Sequence, residues 1–360
     1  MPENTKNQTE TEDSPTTLTW WQHVRKRPGM YLGRVNNRGF VDNLKGLLSS
    51  GLYTQEATVA LTITGDRSVE LEIIAPGMTF YPEWEPGRFG DFCMELLVFA
   101  ALSSKCTLEL RPAEGRSFNY RFQVGVPAFI EANDPPIVCT SMQLTFTLDP
   151  IIWGEDFALD PDYLIGELRT FAYLHPETRF DVRYRVRGED CRVMLHYVNG
   201  LWDYLRHLSV GTFAPTILAV ACREEVADFY LDFAFGFNGN SVDPALFKSY
   251  VNDVHTHEHG THEEALLDGV ADAFSRYLKN AEATEAHDLS HENILKTLIG
   301  ALSVRHPAAV YEGATRTKLG NEDVIAPISQ LVSDRLFAVL AASEEETRRF
   351  IRYNLRVREC

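Results

Sequence analysis

At 360 residues, 44% of them hydrophobic, the chain is long enough to bury two cores, so two domains are expected rather than one. A formal net charge of −17 repels a phosphate backbone at long range, which excludes broad nonspecific DNA binding by the whole surface and leaves only a local basic groove open. The N-terminus is polar and no unbroken apolar run of about 18 residues occurs, so a signal peptide and a membrane span are not expected and a cytoplasmic protein is.

Residues 1–17 carry almost no apolar side chains and cannot offset the entropy of ordering, so they read as a flexible arm. Thr58 to Thr64 and Ser68 to Ile74 alternate around Gly65-Asp66-Arg67, the pattern of a hairpin with a short turn. Further strands are expected at Cys106 to Arg111, Phe118 to Val124, Met142 to Leu148, Arg179 to Val186 and Val193 to Val198. Helical spacing marks Cys93 to Leu102 and Tyr163 to Leu174. The mixture predicts an α+β sandwich with a mostly antiparallel sheet.

The pattern breaks between Leu208 and Pro215, and new strands begin at Thr216 to Ala221 and Ala227 to Phe235. A domain boundary is therefore drawn near residue 210. Thr261 and Glu264 are spaced as a capping box, and Leu266, Val270, Ala273, Phe274 and Tyr277 follow at helical spacing, predicting a helix over 262–279. Two charged helices close the chain, Asp323 to Leu340 and Glu344 to Arg356. The six cysteines, Cys93, Cys106, Cys139, Cys191, Cys222 and Cys360, lack C-x-x-C spacing and read as reduced structural thiols.

Three segments stand out in order: Val24-Arg25-Lys26-Arg27-Pro28-Gly29-Met30-Tyr31-Leu32-Gly33; Tyr250-Val251-Asn252-Asp253-Val254 running into Gly260-Thr261-His262-Glu263-Glu264; and Thr317-Lys318-Leu319-Gly320-Asn321. Together they resemble the ATPase-plus-transducer region of the type IIA topoisomerase proteins DNA gyrase B and topoisomerase IV B. Weaker similarity runs through Gly125-Val126-Pro127, Leu168 to Leu174 and His196 to Leu201, so the resemblance covers roughly residues 20–358. It implies a GHKL-type nucleotide-binding domain over 18–209 and a transducer domain over 210–360, of the ribosomal S5 domain 2-like kind. No TOPRIM domain is expected in this sequence, so the chain alone is not expected to pass DNA strands.

The same resemblance implies ATP-site residues that do not stand here. The family's E-x-x-D-N helix segment supplies a general base and a magnesium asparagine. Gly46 stands at the glutamate and Ser50 at the asparagine, in Gly46-Leu47-Leu48-Ser49-Ser50. Ile73 stands where an aspartate accepts the adenine amino group, leaving that donor unpaired at a cost of about 1 to 3 kcal/mol. Only about a dozen residues separate Gly77 from Gly90, so the lid reads as deleted. The phosphate loop has become Gly90-Asp91-Phe92-Cys93-Met94-Glu95, with bulk and negative charge where bare backbone is needed. Arg316 replaces the transducer lysine that reaches the terminal phosphate, and Lys318 follows it, both as vestigial phosphate contacts.

Other clusters admit two readings each. His255, His257 and His259 alternate along a strand end, as metal ligands or as solvated loop residues, while His262 reads as structural. Arg25, Lys26 and Arg27 form a basic run, for DNA or for a structural loop near a dimer interface. Trp20 and Trp21 either swap between protomers with the arm or anchor it on its own domain. Ile73, Ile74, Phe92 and Met94 read as a filled-in core or as an apolar pocket for another ligand. The expected function is that of a gyrase B-like pseudo-ATPase, without catalytic residues or cofactor, binding its own copy or a type IIA topoisomerase. The alternative is an ATP-hydrolysing fragment of a gyrase B-like topoisomerase protein, with ATP and magnesium, whose site is rebuilt around Glu70, Glu72, Asp91 or Glu95.

Overall fold

Alternation and helical spacing convert into elements much as the pattern requires. The structure is a computed structural model and describes residues 19–51, 56–80, 93–130, 137–210, 216–238, 246–283, 285–313 and 316–356. The N-terminal arm, residues 81–92 with the segment read as the lid and Gly90-Asp91-Phe92, and Ala314-Thr315 lie outside the described residues.

Helices α1 (Trp20–Lys26), α2 (Gly29–Leu32) and α3 (Asn37–Gly51) precede strands β1 (Ala57–Gly65) and β2 (Ser68–Phe80). Then come α4 (Cys93–Ala101), β3 (Ser103–Pro112), β4 (Phe118–Gln123), β5 (Val126–Ile130), β6 (Ile137–Leu148), α5 (Pro150–Trp153), α6 (Pro161–Leu174), β7 (Thr178–Val186), β8 (Glu189–Leu195) and α7 (Leu201–Val210). The chain continues through β9 (Thr216–Val226), β10 (Phe229–Asn238), β11 (Phe247–Val251), β12 (Val254–His255), α8 (Thr261–Asn280), α9 (His291–Leu295), β13 (Leu298–Arg305), α10 (Ile325–Ala342) and α11 (Glu344–Phe350). The last predicted helix ends in a π-helical turn, Ile351–Leu355, rather than running on to Arg356.

One sheet has eight strands in the order β5-β4-β3-β6-β2-β1-β7-β8, and the other has five in the order β12-β11-β13-β10-β9. The pairs β2–β6, β3–β6, β3–β4 and β4–β5 are all antiparallel, as predicted, while β11 runs parallel to β13 in the second sheet. The chain divides into two compact units that interleave in sequence: residues 1–51, 60–161 and 183–191, and residues 52–59, 162–182 and 192–360.

In the first unit, Phe40 on α3, Phe99 on α4, Phe146 on β6 and Trp153 on α5 form an aromatic core, with Phe99 and Phe146 stacked at 4.8 Å between centroids. Such pairs add ~1 kcal/mol each beyond the area they bury. The core fixes both helices against the sheet. In the second unit, Phe233, Phe235 and Phe237 on β10 pack with Phe274 on α8 and Phe350 on α11. Helix α8 approaches α10 at Gly269, where an added Cβ would lie 2.5 Å from the Ser329 carbonyl oxygen and 2.8 Å from Val332 Cβ.

Two sequence expectations are corrected here. The predicted capping box at Thr261 and Glu264 does not form: Gly260 is the N-cap, and the Thr261 hydroxyl donates instead to the Leu319 carbonyl. A true box does form at Thr19 and Gln22, at the start of α1. Helix α10 is long and apolar enough to cross a membrane by length and composition, against the expectation of no such stretch. It buries Ile328, Val332, Leu336 and Leu340 in the core of the second unit, which accounts for its apolar character.

Candidate functional site

Helix α3 turns Phe40, Leu44, Leu47 and Leu48 into the first unit's core. Asn43, Gly46 and Ser50 follow one another at helical spacing on another face. On that face the Asn43 amide donates to the Glu95 carbonyl at 3.0 Å. The Glu95 side chain then lies over Gly46: a Cβ built there would come 2.9 Å from Glu95 Cγ and 3.2 Å from Oε1. A larger side chain at position 46 and Glu95 in its present place are mutually exclusive. Ser50 turns its hydroxyl back to the Leu47 carbonyl at 3.0 Å, as serine commonly does within a helix.

Ile73 is fully buried on β2, opposite Met142 of β6, and offers no acceptor. Of the three described apolar residues read as core filling, Ile73 alone is in the core. Ile74 is 46% exposed and Met94 37% exposed, and Phe92 lies outside the described residues. Glu70 and Glu72 alternate with buried Leu71 and Ile73 and therefore face the other side of β2. There Glu72 pairs with Arg111, which also binds Glu109 and Gln143. Neither carboxylate shares a face with Ile73. Glu95 is the one candidate base among the described residues that stands beside Gly46.

In the second unit the two distant sequence motifs meet. Gly260 bridges Leu319 in parallel, and Thr261 N–H donates to the Leu319 carbonyl at 3.0 Å. Thr317 donates its hydroxyl to the Glu258 carboxylate. Asn321 accepts from Val310 N–H at 2.6 Å and so orders the 308–312 loop. Behind this seam Glu263, 5% exposed, accepts from Ser249 at 2.7 Å and binds His259 at 2.6 Å. Thr256 hydrogen-bonds both Ser249 and His262 Nε2. His262 is fully buried, its Nδ1 has no hydrogen-bond partner, and burial, with His259 nearby, pushes its pKa down to about 3.

Arg316 sits at φ 56°, and Lys318 pairs with Glu312 at 2.8 Å, which raises the lysine's pKa. The histidines do not gather as ligands: the His255 and His257 rings are 6.0 Å apart, His259 is engaged by Glu263, and among the described residues no three metal-ligating side chains converge. Arg25 of the basic run is a structural tie, bonded to the Ala101 carbonyl and to Asp149, while Lys26 and Arg27 are exposed. Trp20 and Trp21 meet edge to face at 4.9 Å, and Trp21 packs on Phe122 of the same unit.

Sequence reading missed the cover that Glu95 makes over Gly46, because the two residues are far apart in the chain and meet only through the packing of α3 on α4. It also missed a charged cluster of Glu177, Arg223, Asp232 and Arg305 on the second sheet. Lone charges scattered along strands carry no spacing signal.

An eight-stranded sheet backed by α3 and α4, and a five-stranded sheet carrying the two joined motifs, make up the α+β fold of the chain. Residues 200–358 match the family model for DNA gyrase B. The DNA gyrase B protein of Enterococcus faecalis is 26% identical over 355 residues, covering 88% of this chain and 52% of that protein. That of Streptomyces coelicolor is 25% identical over 390 residues, covering 94% and 56%. The chain spans about half the length of these curated relatives.

Among solved structures, the 43K ATPase domain of Thermus thermophilus gyrase B, in complex with an aminocoumarin, has a TM-score of 0.73 at 20% identity, covering 93% of this chain and 94% of that one. The topoisomerase IV ATP-binding domain of Francisella tularensis, in complex with a small-molecule inhibitor, has a TM-score of 0.73 at 22% identity, covering 92% and 94%. At those identities the likeness shows the fold. In sequence and fold together, the chain is gyrase B-like.

Proposed function

We propose that the chain is a gyrase B-like pseudo-ATPase, acting in the cytoplasm as a binding or regulatory module that pairs with itself or with a type IIA topoisomerase. The observation that carries the reading is the cover over Gly46. No side chain projects from α3 where the general base belongs, and the Glu95 carboxylate brings negative charge to a place a triphosphate would approach. Buried Ile73 adds the loss of an adenine acceptor. In this reading the boundary near residue 210 separates the degenerate GHKL-like part from the transducer, and Arg316 and Lys318 are vestiges.

Calorimetry with an ATP analogue and magnesium, beside thermal shifts at millimolar nucleotide, tests it. No heat and no shift are expected; a Kd tighter than about 100 μM overturns the reading, because such binding raises stability measurably at that concentration.

A second reading, an ATPase fragment with a rebuilt site, draws support from the same contact, since Glu95 Oε1 lies 3.2 Å from an ideal Cβ at Gly46. It predicts magnesium-dependent ATP turnover that Glu95→Gln abolishes while leaving nucleotide binding in place. Absence of turnover in the unaltered protein removes this reading.

A further inference from the structure

Strands β9 and β13 and the β11–β12 turn of the second sheet each place a polar group against residues 174–177, at the end of α6. Arg305 on β13 donates to the Leu174 carbonyl at 2.6 Å. Asp253, in the β11–β12 turn, lies 2.9 Å from His175, both nearly fully buried. Arg223 on β9 binds Glu177 at 2.8 Å and donates to the Tyr230 hydroxyl on β10 at 2.9 Å. The same guanidinium lies 3.6 Å from Asp232 Oδ2, an oxygen that is buried and has no hydrogen-bond partner. One arginine thus faces two carboxylates, bonding one well and the other poorly.

We propose that Glu177 and Asp232 compete for Arg223, so that ionisation of Asp232 draws the guanidinium off Glu177 and releases the 174–177 segment from the second sheet. This competition is independent of whether nucleotide binds the first unit. The charged and titratable groups around Asp232 are Arg223 and, on the same strand β9, Cys222 and Glu225; Tyr230 on its own strand; Arg305 on β13; and Glu177 on the covering segment. Ser303 stands opposite it on β13 and is uncharged.

Burial raises the Asp232 carboxyl to about 7, and the two arginines only partly oppose this. A released segment lets water reach Asp232 and restores an ordinary carboxylate near 3.8. The closed form holds the proton more tightly, so it is fully favoured below that value and progressively loses its advantage as pH rises to about 7.

Hydrogen exchange of the full chain at pH 5.5 and 8 tests the proposal, with each amide's rate divided by its intrinsic chemical rate and α8 amides as an internal reference. The Thr178 amide, bonded to the His175 carbonyl at 2.9 Å, and its neighbours should exchange at least roughly fivefold faster at pH 8 after this correction. Asp232→Asn, which keeps the shape without the charge, should abolish the difference and stay protected at both pH values. Glu177→Gln should exchange fast at both, because the tie is already weakened. A flat ratio in the unaltered protein, or a pH difference that survives in Asp232→Asn, overturns the proposal. Should Asp232→Asn not fold, a surviving difference in Glu177→Gln overturns it equally.

Discussion

The surroundings of Gly46 in the first unit and of Gly260 in the second are held in different ways. At Gly260 the backbone touches Leu319, His262 and Glu263 are buried in a polar network, and Asn321 holds a loop. At Gly46 a flexible side chain from α4 covers the helix face. Residues that hold the scaffold are bound by many partners and resist change. Residues that serve a ligand are bound by few once the ligand is gone, so their replacement costs the fold little.

The largest expected effect breaks the second region. Gly260 has φ 138°, and an added Cβ would lie 2.5 Å from Leu319 N and 2.6 Å from its carbonyl oxygen, so Gly260→Val should destabilise by about 3 kcal/mol or more in urea unfolding. A loss below about 1 kcal/mol would mean that the seam yields easily. Glu263→Ala comes next. It removes a buried acceptor from Ser249 and the partner of His259, and the expected loss is about 2 kcal/mol, against less than about 1 kcal/mol for Glu95→Ala. Equal losses would erase the contrast between the regions.

The pH dependence of the second unit sharpens the comparison further. His262 has a folded pKa of about 3 against an ordinary value of 6.5, so between those values the unfolded chain binds a proton that the folded one does not. Its contribution is intact above about 6.5 and is lost as pH falls, by up to ~1.4 kcal/mol per pH unit. His262→Gln should flatten the fall in unfolding free energy between about pH 7 and pH 5. An unchanged slope would place the acid sensitivity elsewhere.

The smallest effect belongs to the first region. Gly46→Ala gains helix propensity worth ~1 kcal/mol but crowds Glu95, so the net change in the unaltered chain should be near zero. In a Glu95→Ala background the same substitution should stabilise by about 1 kcal/mol. A double-mutant cycle reads the difference as the coupling of the two residues. No coupling would mean that Glu95 does not rest on Gly46.

Sequence pattern reached the alternating strands well, because one buried and one open face leave a period of two, as along β3 and β6. It did not mark β13, whose Leu298 to Val304 are all buried and so show no alternation. The motif order, through family resemblance, pointed to Gly46, Ser50, Ile73 and Arg316 as positions where nucleotide-site residues are expected to differ. Of Ile73 and Ile74 one is core and the other half exposed, as the alternation of Val69, Leu71 and Ile73 with Glu70 and Glu72 along β2 requires.

The sequence by itself determined the α+β class and most strand and helix positions. These are properties of short segments, fixed by residue type and period. Only the tertiary structure decided that Glu95 covers Gly46, that Thr261 spends its hydroxyl on Leu319 rather than on a capping box, and that Arg223 stands between Glu177 and Asp232. Each of these joins residues from different elements, and which side chains meet is set by how those elements pack rather than by any local pattern.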